Sequence, residues 1–193
     1  MKNNRNTKGK IISAAWKLFY DKGYEETTVD DIVELSGTSK GSFYHYFNGK
    51  DALLSSLSIV FDERYEELEP KLRSFDTAME KLLFLNRELF LMIENSISLE
   101  LLSMLFSSQL TTRGDRHLLD QSRTYYKLLR SILREAQEKG ELSKNISINE
   151  VIKSYAVIER GLMYDWCLCN GDYSLAAYSY SVLKPFLSEV LKK

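Results

Sequence analysis

The run Ser39-Lys40-Gly41-Ser42-Phe43-Tyr44-His45-Tyr46-Phe47 concentrates hydrogen-bonding and cationic side chains on what must be a very short helix. At about 100° per residue, Phe43 and Phe47 share one side, while Gly41, Ser42 and His45 share the other. Lys40 and Tyr44 flank that strip on one edge and Tyr46 on the other. A strip of donors and acceptors, with one position lacking a side chain and long polar neighbours at its borders, suits the major groove of a nucleic acid. Flanking groups would reach phosphates, and Ser42 and His45 would reach base edges. A surface helix of ordinary aromatic content carries the same residues, so the pattern alone leaves both readings open.

The preceding residues supply the support such a helix needs. Thr28 with Asp31 has capping-box spacing and opens a helix through Val29, Ile32, Val33 and Leu35, which Gly37 stops. Ser39 then caps the second helix, and Asn48 and Gly49 end it. Two short helices joined by a tight turn form a helix-turn-helix. Upstream, the stripe Ile11, Ala15, Leu18 and Phe19 predicts a first helix over Thr7 to about Lys22, on which both pack.

The segment GTSKGSFYHYFNGKDAL closely resembles the signature of the tetracycline-repressor (TetR-like) family of bacterial transcription regulators. The resemblance continues through Ile11, Ala14, Ala15, Leu18, Phe19, Gly23, Thr28, Val29, Asp31 and Ile32, about the first quarter of the chain. It implies that Ser39–Phe47 reads the major groove, that Tyr44 and Lys50 contact phosphates, and that Thr28 caps the supporting helix. The expected DNA-binding set is Thr28, Thr38, Ser39, Lys40, Gly41, Ser42, Tyr44, His45 and Lys50. Thr38 stands where the family usually has Val, and Gly49 where it has a polar non-glycine residue; neither change removes a DNA ligand.

Charge fits once it is divided. The chain has a formal net charge of -1, but residues 1–50 carry eight Lys or Arg against six Asp or Glu, and the remainder 18 against 21. Lys2, Arg5, Lys8 and Lys10 precede any acid, which is a basic arm able to follow a DNA backbone or an ordinary solvated terminus. No apolar run has signal-peptide or membrane-spanning character, which predicts a cytoplasmic protein with no membrane partner. Cys167 and Cys169 lie roughly 200° apart on a helix, too divergent to pair or share a metal, and are expected to be buried structural thiols. No metal-ligand motif, phosphate-cradling glycine loop or nucleophile elbow is present, so neither a cofactor nor an enzyme is expected.

The rest of the chain predicts an all-α protein of about nine helices, divided into residues 1–50, a three-helix helix-turn-helix domain, and 51–193, a helical-bundle domain. A fourth helix should run from Lys50 or Asp51 to Pro70, followed by helices over 76–94, 98–109, 118–140, 147–170 and 174–191, with a loop at 110–117. Here the resemblance implies a small-molecule effector pocket and a homodimer interface built on the last two helices. A stripe of Phe61, Tyr65, Met104, Tyr125, Tyr126, Tyr155, Met163 and Trp166 offers pocket candidates for a hydrophobic or aromatic effector, about half of them expected to be plain core. Glu159 and Arg160 interrupt an apolar helix; surface, dimer contact and pocket all remain open for them. Leu183 and Leu187, one turn apart, are the expected interface leucines. The expected function is a ligand-responsive repressor released from a palindromic operator on double-stranded DNA. A helical enzyme that kept a helix-turn-helix, and an architectural DNA binder without effector, are the alternatives.

Overall fold

The computed structural model describes residues 2–54, 56–111 and 116–191, with side chains described from Thr7 onward except that of Asp51. Among these residues there are ten α-helices and no strand: α1 Lys2–Lys22, α2 Val29–Ser36, α3 Lys40–Tyr46, α4 Asp51–Leu54, α5 Leu57–Leu68, α6 Ala78–Ser96, α7 Leu99–Thr111, α8 Thr124–Lys139, α9 Ile148–Leu168 and α10 Leu175–Val190. Short 3-10 turns cover Glu69–Ser74 and His117–Leu119. Two compact units result, Met1–Ile59 with Ser96–His117, and Val60–Asn95 with Leu118–Lys193. The division differs from a boundary at residue 50: the first unit takes in α7, and α5 supplies residues to each.

In the first unit, α1 packs on α2 and α3. Its stripe Ile11, Ala15 and Phe19 is fully buried, with Phe19 against Tyr24 at a ring separation of 5.0 Å. Gly23 (φ 86°) and Gly37 (φ 62°) end α1 and α2 in the left-handed conformation, which a Cβ would disfavour. The helix expected from Lys50 to Pro70 is interrupted after Leu54. Ser56 is buried, donates to the Leu53 carbonyl and accepts from Trp16 Nε1 at 2.9 Å. A serine hydroxyl that returns to the carbonyl three residues back competes with helix continuation, and Trp16 holds it there. The basic arm proves to be helical, since α1 already starts at Lys2; the side chains of Lys2 and Arg5 lie outside the described residues.

In the second unit, α8 and α10 both pack on α9. The buried face of α6 repeats at helical spacing (Ala78, Leu82, Leu85, Leu89, Ile93) and includes Asn86. α8 begins later than the apolar pattern suggests, because the Asp120 carboxylate accepts from the Ser122 amide at 2.8 Å and turns the chain before Thr124. Leu183 and Leu187 correct the interface expectation. Both are fully buried within the single chain and belong to its core. The cysteines are also corrected: neither is buried, and partial desolvation with the Asp165 and Asp172 carboxylates nearby holds the half-exposed Cys169 thiol up, away from reactive thiolate. Among the described residues no single helix is long and apolar enough to cross a membrane, and no group of three or more His, Cys, Asp or Glu could hold a metal.

Candidate nucleic-acid interface

The helix α3 is fixed from both ends and from beneath. Ser39 caps it, its Oγ accepting from the Ser42 amide at 3.1 Å and lying 3.0 Å from Ser42 Oγ. Phe43 is completely buried and Phe47 nearly so, their rings 5.8 Å apart. Each buried ring of this kind contributes about 1.5–3 kcal/mol. With that side anchored, Lys40, Gly41, Tyr44 and His45 are exposed, while Ser42 is half-buried. The Lys40 ammonium pairs with Asp30 at 2.7 Å, and Asp30 raises its pKa. Both partners are well exposed, so the pair can be exchanged for a phosphate contact at little cost.

Three more of the expected DNA ligands, besides Ser39, Lys40 and Ser42, are engaged within the chain. Thr28 forms a full capping box: its hydroxyl donates to Asp31 at 2.6 Å and accepts the Asp31 amide at 3.2 Å, and its own amide donates to Asp31 at 2.8 Å. Lys22, 2.7 Å from the same carboxylate, and then Thr28 hold Asp31 far below the usual carboxylate range. Thr38 shares a 2.7 Å hydrogen bond with Ser36 in the turn between the helices. Lys50 departs most from expectation. Its ammonium donates to the carbonyls of Tyr24 at 2.8 Å and Glu25 at 3.0 Å and sits 4.4 Å from the Tyr24 ring centre. Two of its three donors are thus spent on the turn after α1, and the Glu25 carboxylate lies 4.0 Å from the same ammonium, so a phosphate would have to compete with Glu25 for the third.

Gly41 has no structural reason in the free chain to lack a side chain. Its φ is not positive, and a Cβ there would meet only Ser39 Oγ at an ordinary 3.9 Å. Glycine inside a helix is about 1 kcal/mol worse than alanine, so this position keeps space for something approaching from outside. Gly41→Ala should therefore stabilise the chain by up to about 1 kcal/mol in thermal melts while lowering DNA affinity about tenfold or more by fluorescence anisotropy, a loss of about 1.4 kcal/mol. Unchanged DNA affinity would remove Gly41 from the contact.

The effector candidates divide. Met104 is half-buried on α7 and belongs to the first unit. Phe61, Met163 and Trp166 are buried, and Trp166 Nε1 donates to the Tyr173 carbonyl at 2.8 Å, pinning the turn before α10. The structure does bring Tyr65, Tyr125, Tyr126, Tyr155 and Glu159 together. Tyr125 lies 5.3 Å from Tyr65 and 4.8 Å from Tyr126 between ring centres. Glu159, for which a surface place was one expectation, is only 3% exposed. Its carboxyl accepts from Asn86 Nδ2 at 2.8 Å and from the Tyr125 hydroxyl at 2.7 Å, and Ser179 donates to Asn86 at 2.6 Å. The Tyr155 hydroxyl donates to the Leu82 carbonyl at 2.9 Å. Sequence reasoning missed Asn86 and Ser179, whose only signal is a polar residue on an otherwise apolar stripe. A cleft of about 710 Å³ in the same unit opens elsewhere, on Pro70, Arg73, Phe75, Lys81, Glu135 and Lys139.

Burial pushes the Glu159 carboxyl above the usual range, against the opposing hydrogen bonds from Tyr125, Asn86 and Tyr155 and the charge of Arg160. Tyr65, Tyr125 and Tyr155 are themselves pushed well above 10 by burial and stay neutral. The folded chain then holds this proton more tightly than the unfolded chain, so the stability it contributes is complete below about pH 4.3 and is lost as pH rises through the folded value. Glu159→Gln should match the native protein in thermal melts near pH 4 and exceed it increasingly towards neutral pH. Parallel melting curves across pH would show instead that the carboxyl ionises freely.

Residues 11–57 match the family model described as bacterial regulatory proteins, tetR family. Over 197 aligned positions, covering 100% of both chains, the sequence is 25% identical to the fatty acid metabolism regulator protein of Bacillus subtilis. Among solved structures, the transcriptional regulator FadR from Bacillus subtilis in complex with stearoyl-CoA is similar with a TM-score of 0.72 at 23% identity, over 95% of this chain and 99% of that one. FadR of Thermus thermophilus, a repressor in complex with lauroyl-CoA, gives a TM-score of 0.76 at 24% identity, over 96% and 95%. At those identities the two structures establish a shared fold.

Proposed function

Since the chain belongs to the TetR family of bacterial transcription regulators, we propose that it is a homodimeric repressor that leaves a palindromic operator when a small, hydrophobic or aromatic effector enters its second unit. The observation that carries the DNA-binding part is α3 itself: a capped helix anchored by Phe43 and Phe47 that presents Lys40, Gly41, Tyr44 and His45 outward. In this reading His45 and Ser42 read base edges, Lys40, Tyr44 and the third donor of Lys50 hold phosphates, and Gly41 admits the DNA. Thr28, Thr38 and Ser39 set the geometry. Residues 1–50 then act as the reading head and 51–193 as the regulatory part, working in the cytoplasm.

Dimerisation is supported by a surface stripe distinct from Leu183 and Leu187. On α9, Val157, Gly161, Tyr164 and Leu168 follow one another at helical spacing and are all exposed, Leu168 at 64%; Tyr178 and Tyr180 are exposed on α10. A chain with that much apolar surface on two packed helices is suited to cover it with a second copy, as a four-helix contact. A twofold dimer would present two α3 helices to inverted half-sites.

The relatives bound to stearoyl-CoA and lauroyl-CoA make long-chain acyl-CoAs the first effectors to test. In this account the ligand favours one tilt of α5, the helix that supplies residues to both units, and a coupling of about 1–3 kcal/mol changes operator affinity about 5- to 150-fold. Anisotropy titrations of the whole protein on its operator should show such a fall with an effector that fits. Operator affinity unmoved by saturating acyl-CoAs, lipophilic cations and neutral aromatic probes alike would speak for a DNA binder without an effector.

A further inference from the structure

Lys81 is a buried ammonium at the wall of an open cleft. It lies on the core-facing side of α6 with Ala78, Leu82 and Leu85, and it is 8% exposed. Lysine is almost never buried so far without a partner, because its ammonium gives up its water. The partner here is Glu135 of α8, whose Oε2 accepts from Lys81 Nζ at 2.7 Å. The other carboxylate oxygen, Oε1, lies 2.7 Å from Lys139 Nζ. One carboxylate thus bridges two ammonium groups, and Lys139 and Lys81 hold its pKa below the ordinary value. Yet the Glu135 side chain is 41% exposed against 10% for that of Lys81. The fixed member of the pair is the cation, and the anion is a flexible side chain at the surface.

The cleft of about 710 Å³ that these groups line has the size of a small-molecule site, about 300–1,000 Å³. Its apolar lining comes from Leu72, Leu128 and Ile132, all buried, and from Phe75, half-buried with its ring 4.8 Å from that of Phe84. Arg73 adds a third, exposed cation. Glu69 and Asp76 also line the cleft, both exposed, and they disfavour a ligand with several negative charges. An adjoining groove shares Ser131 and Glu135 with it and adds Lys127, Arg130 and Arg134 against Glu138, which makes the approach net positive. We propose that this cleft binds an organic monocarboxylate with an apolar body, whose carboxylate takes the place of the Glu135 side chain between Lys81 and Lys139 while the body lies on Leu128, Ile132 and Phe75. Glu135 is the internal stand-in that shows the chemistry: two ammonium groups set to share one carboxylate. One carboxylate replaces another, no proton moves, and Glu135 turns to water. The exchange of anions is close to neutral, so affinity comes from the apolar body that Glu135 lacks. The site lies apart from Glu159 and its tyrosines, and the inference goes beyond the effector and operator reading and stands without it.

The test is calorimetric titration of the whole protein with four probes: 2-naphthoate, its neutral isostere 2-naphthamide, acetate, which has the charge without the body, and inorganic phosphate. 2-Naphthoate should bind about tenfold or more tightly than each of the others, the share that a charge-assisted contact or a buried ring contributes. Glu135→Gln removes the competing charge, keeps the side chain's size, and should strengthen 2-naphthoate about two- to fivefold, the worth of an exposed ion pair. Lys81→Met keeps the apolar stem and should weaken it about ten- to a hundredfold. Opposite effects from the two members of one ion pair separate a ligand site from a structural salt bridge, whose members matter to stability alone. No binding of 2-naphthoate to the native and Glu135→Gln proteins, equal binding of 2-naphthoate and 2-naphthamide, or phosphate bound as tightly as 2-naphthoate would overturn the inference. So would an affinity that falls in Glu135→Gln, or one unchanged in Lys81→Met, which would place the ligand elsewhere.

Discussion

Replacing Leu183 and Leu187 together by glutamate will give a chain that does not fold, while Leu168→Glu will give a folded monomer. Both leucines of α10 are fully buried, and each loses about 1.5–3 kcal/mol of hydrophobic burial on leaving the core. Two unpaired carboxylates in their place add a penalty of several kcal/mol each. Against a typical net stability of about 5–15 kcal/mol for a whole protein, that sum is decisive. Leu168 is 64% exposed on α9, so a charge there leaves the single chain intact and burdens only a surface covered by a second copy. Circular dichroism melts with light scattering separate the two outcomes. A folded, monomeric Leu183→Glu/Leu187→Glu protein would return those residues to the interface, and a Leu168→Glu protein still dimeric at micromolar concentration would take the exposed α9 stripe out of it.

Removing Asp62 should be nearly as damaging from a single position. Asp62→Ala is expected to lower stability by about 3–5 kcal/mol, the usual result of breaking a buried ion pair by removing one member. The Arg123 side chain is 9% exposed and Asp62 17%, with both contacts at 3.0 Å, so the pair is largely shielded from solvent. The same carboxylate accepts the Tyr125 amide in the first turn of α8, and Arg123 supplies no cap of its own there. Urea unfolding measures the loss, with Glu67→Ala as a comparison because Glu67 meets Arg64 at an exposed position. A loss below about 1 kcal/mol would mean that the pair behaves as a surface salt bridge.

The parts of this fold that were legible in the sequence are those set by neighbours along the chain. Thr28 with Asp31, Gly37, and Ser39 before Ser42 place α2 and α3 to within a residue, because caps and left-handed glycines act over three or four positions. The apolar stripe of α1 and the aromatic anchor of α3 followed from helical spacing alone. The features that escaped depend on distant partners. The break between α4 and α5 places Ser56 on Trp16, forty residues earlier. Lys50 turns back to carbonyls 26 and 25 residues away. Glu159 on an apolar helix fits surface, interface or core equally until Asn86, 73 positions distant, and Tyr125, 34 distant, are placed beside it. Leu183 and Leu187 show the same ambiguity in apolar form: a four-residue spacing announces a covered face without saying what covers it.

The central claim, that α3 reads duplex DNA as part of a twofold dimer, is tested most directly by selecting duplexes from a random pool with the whole protein and sequencing what is retained. The account predicts a (pseudo)palindrome whose half-sites lie about one helical turn apart, or a multiple of it. It also predicts that His45→Ala retains the symmetry and shifts the preferred bases. No enriched motif, a motif without inverted symmetry, or the same motif from the native protein and His45→Ala would contradict it.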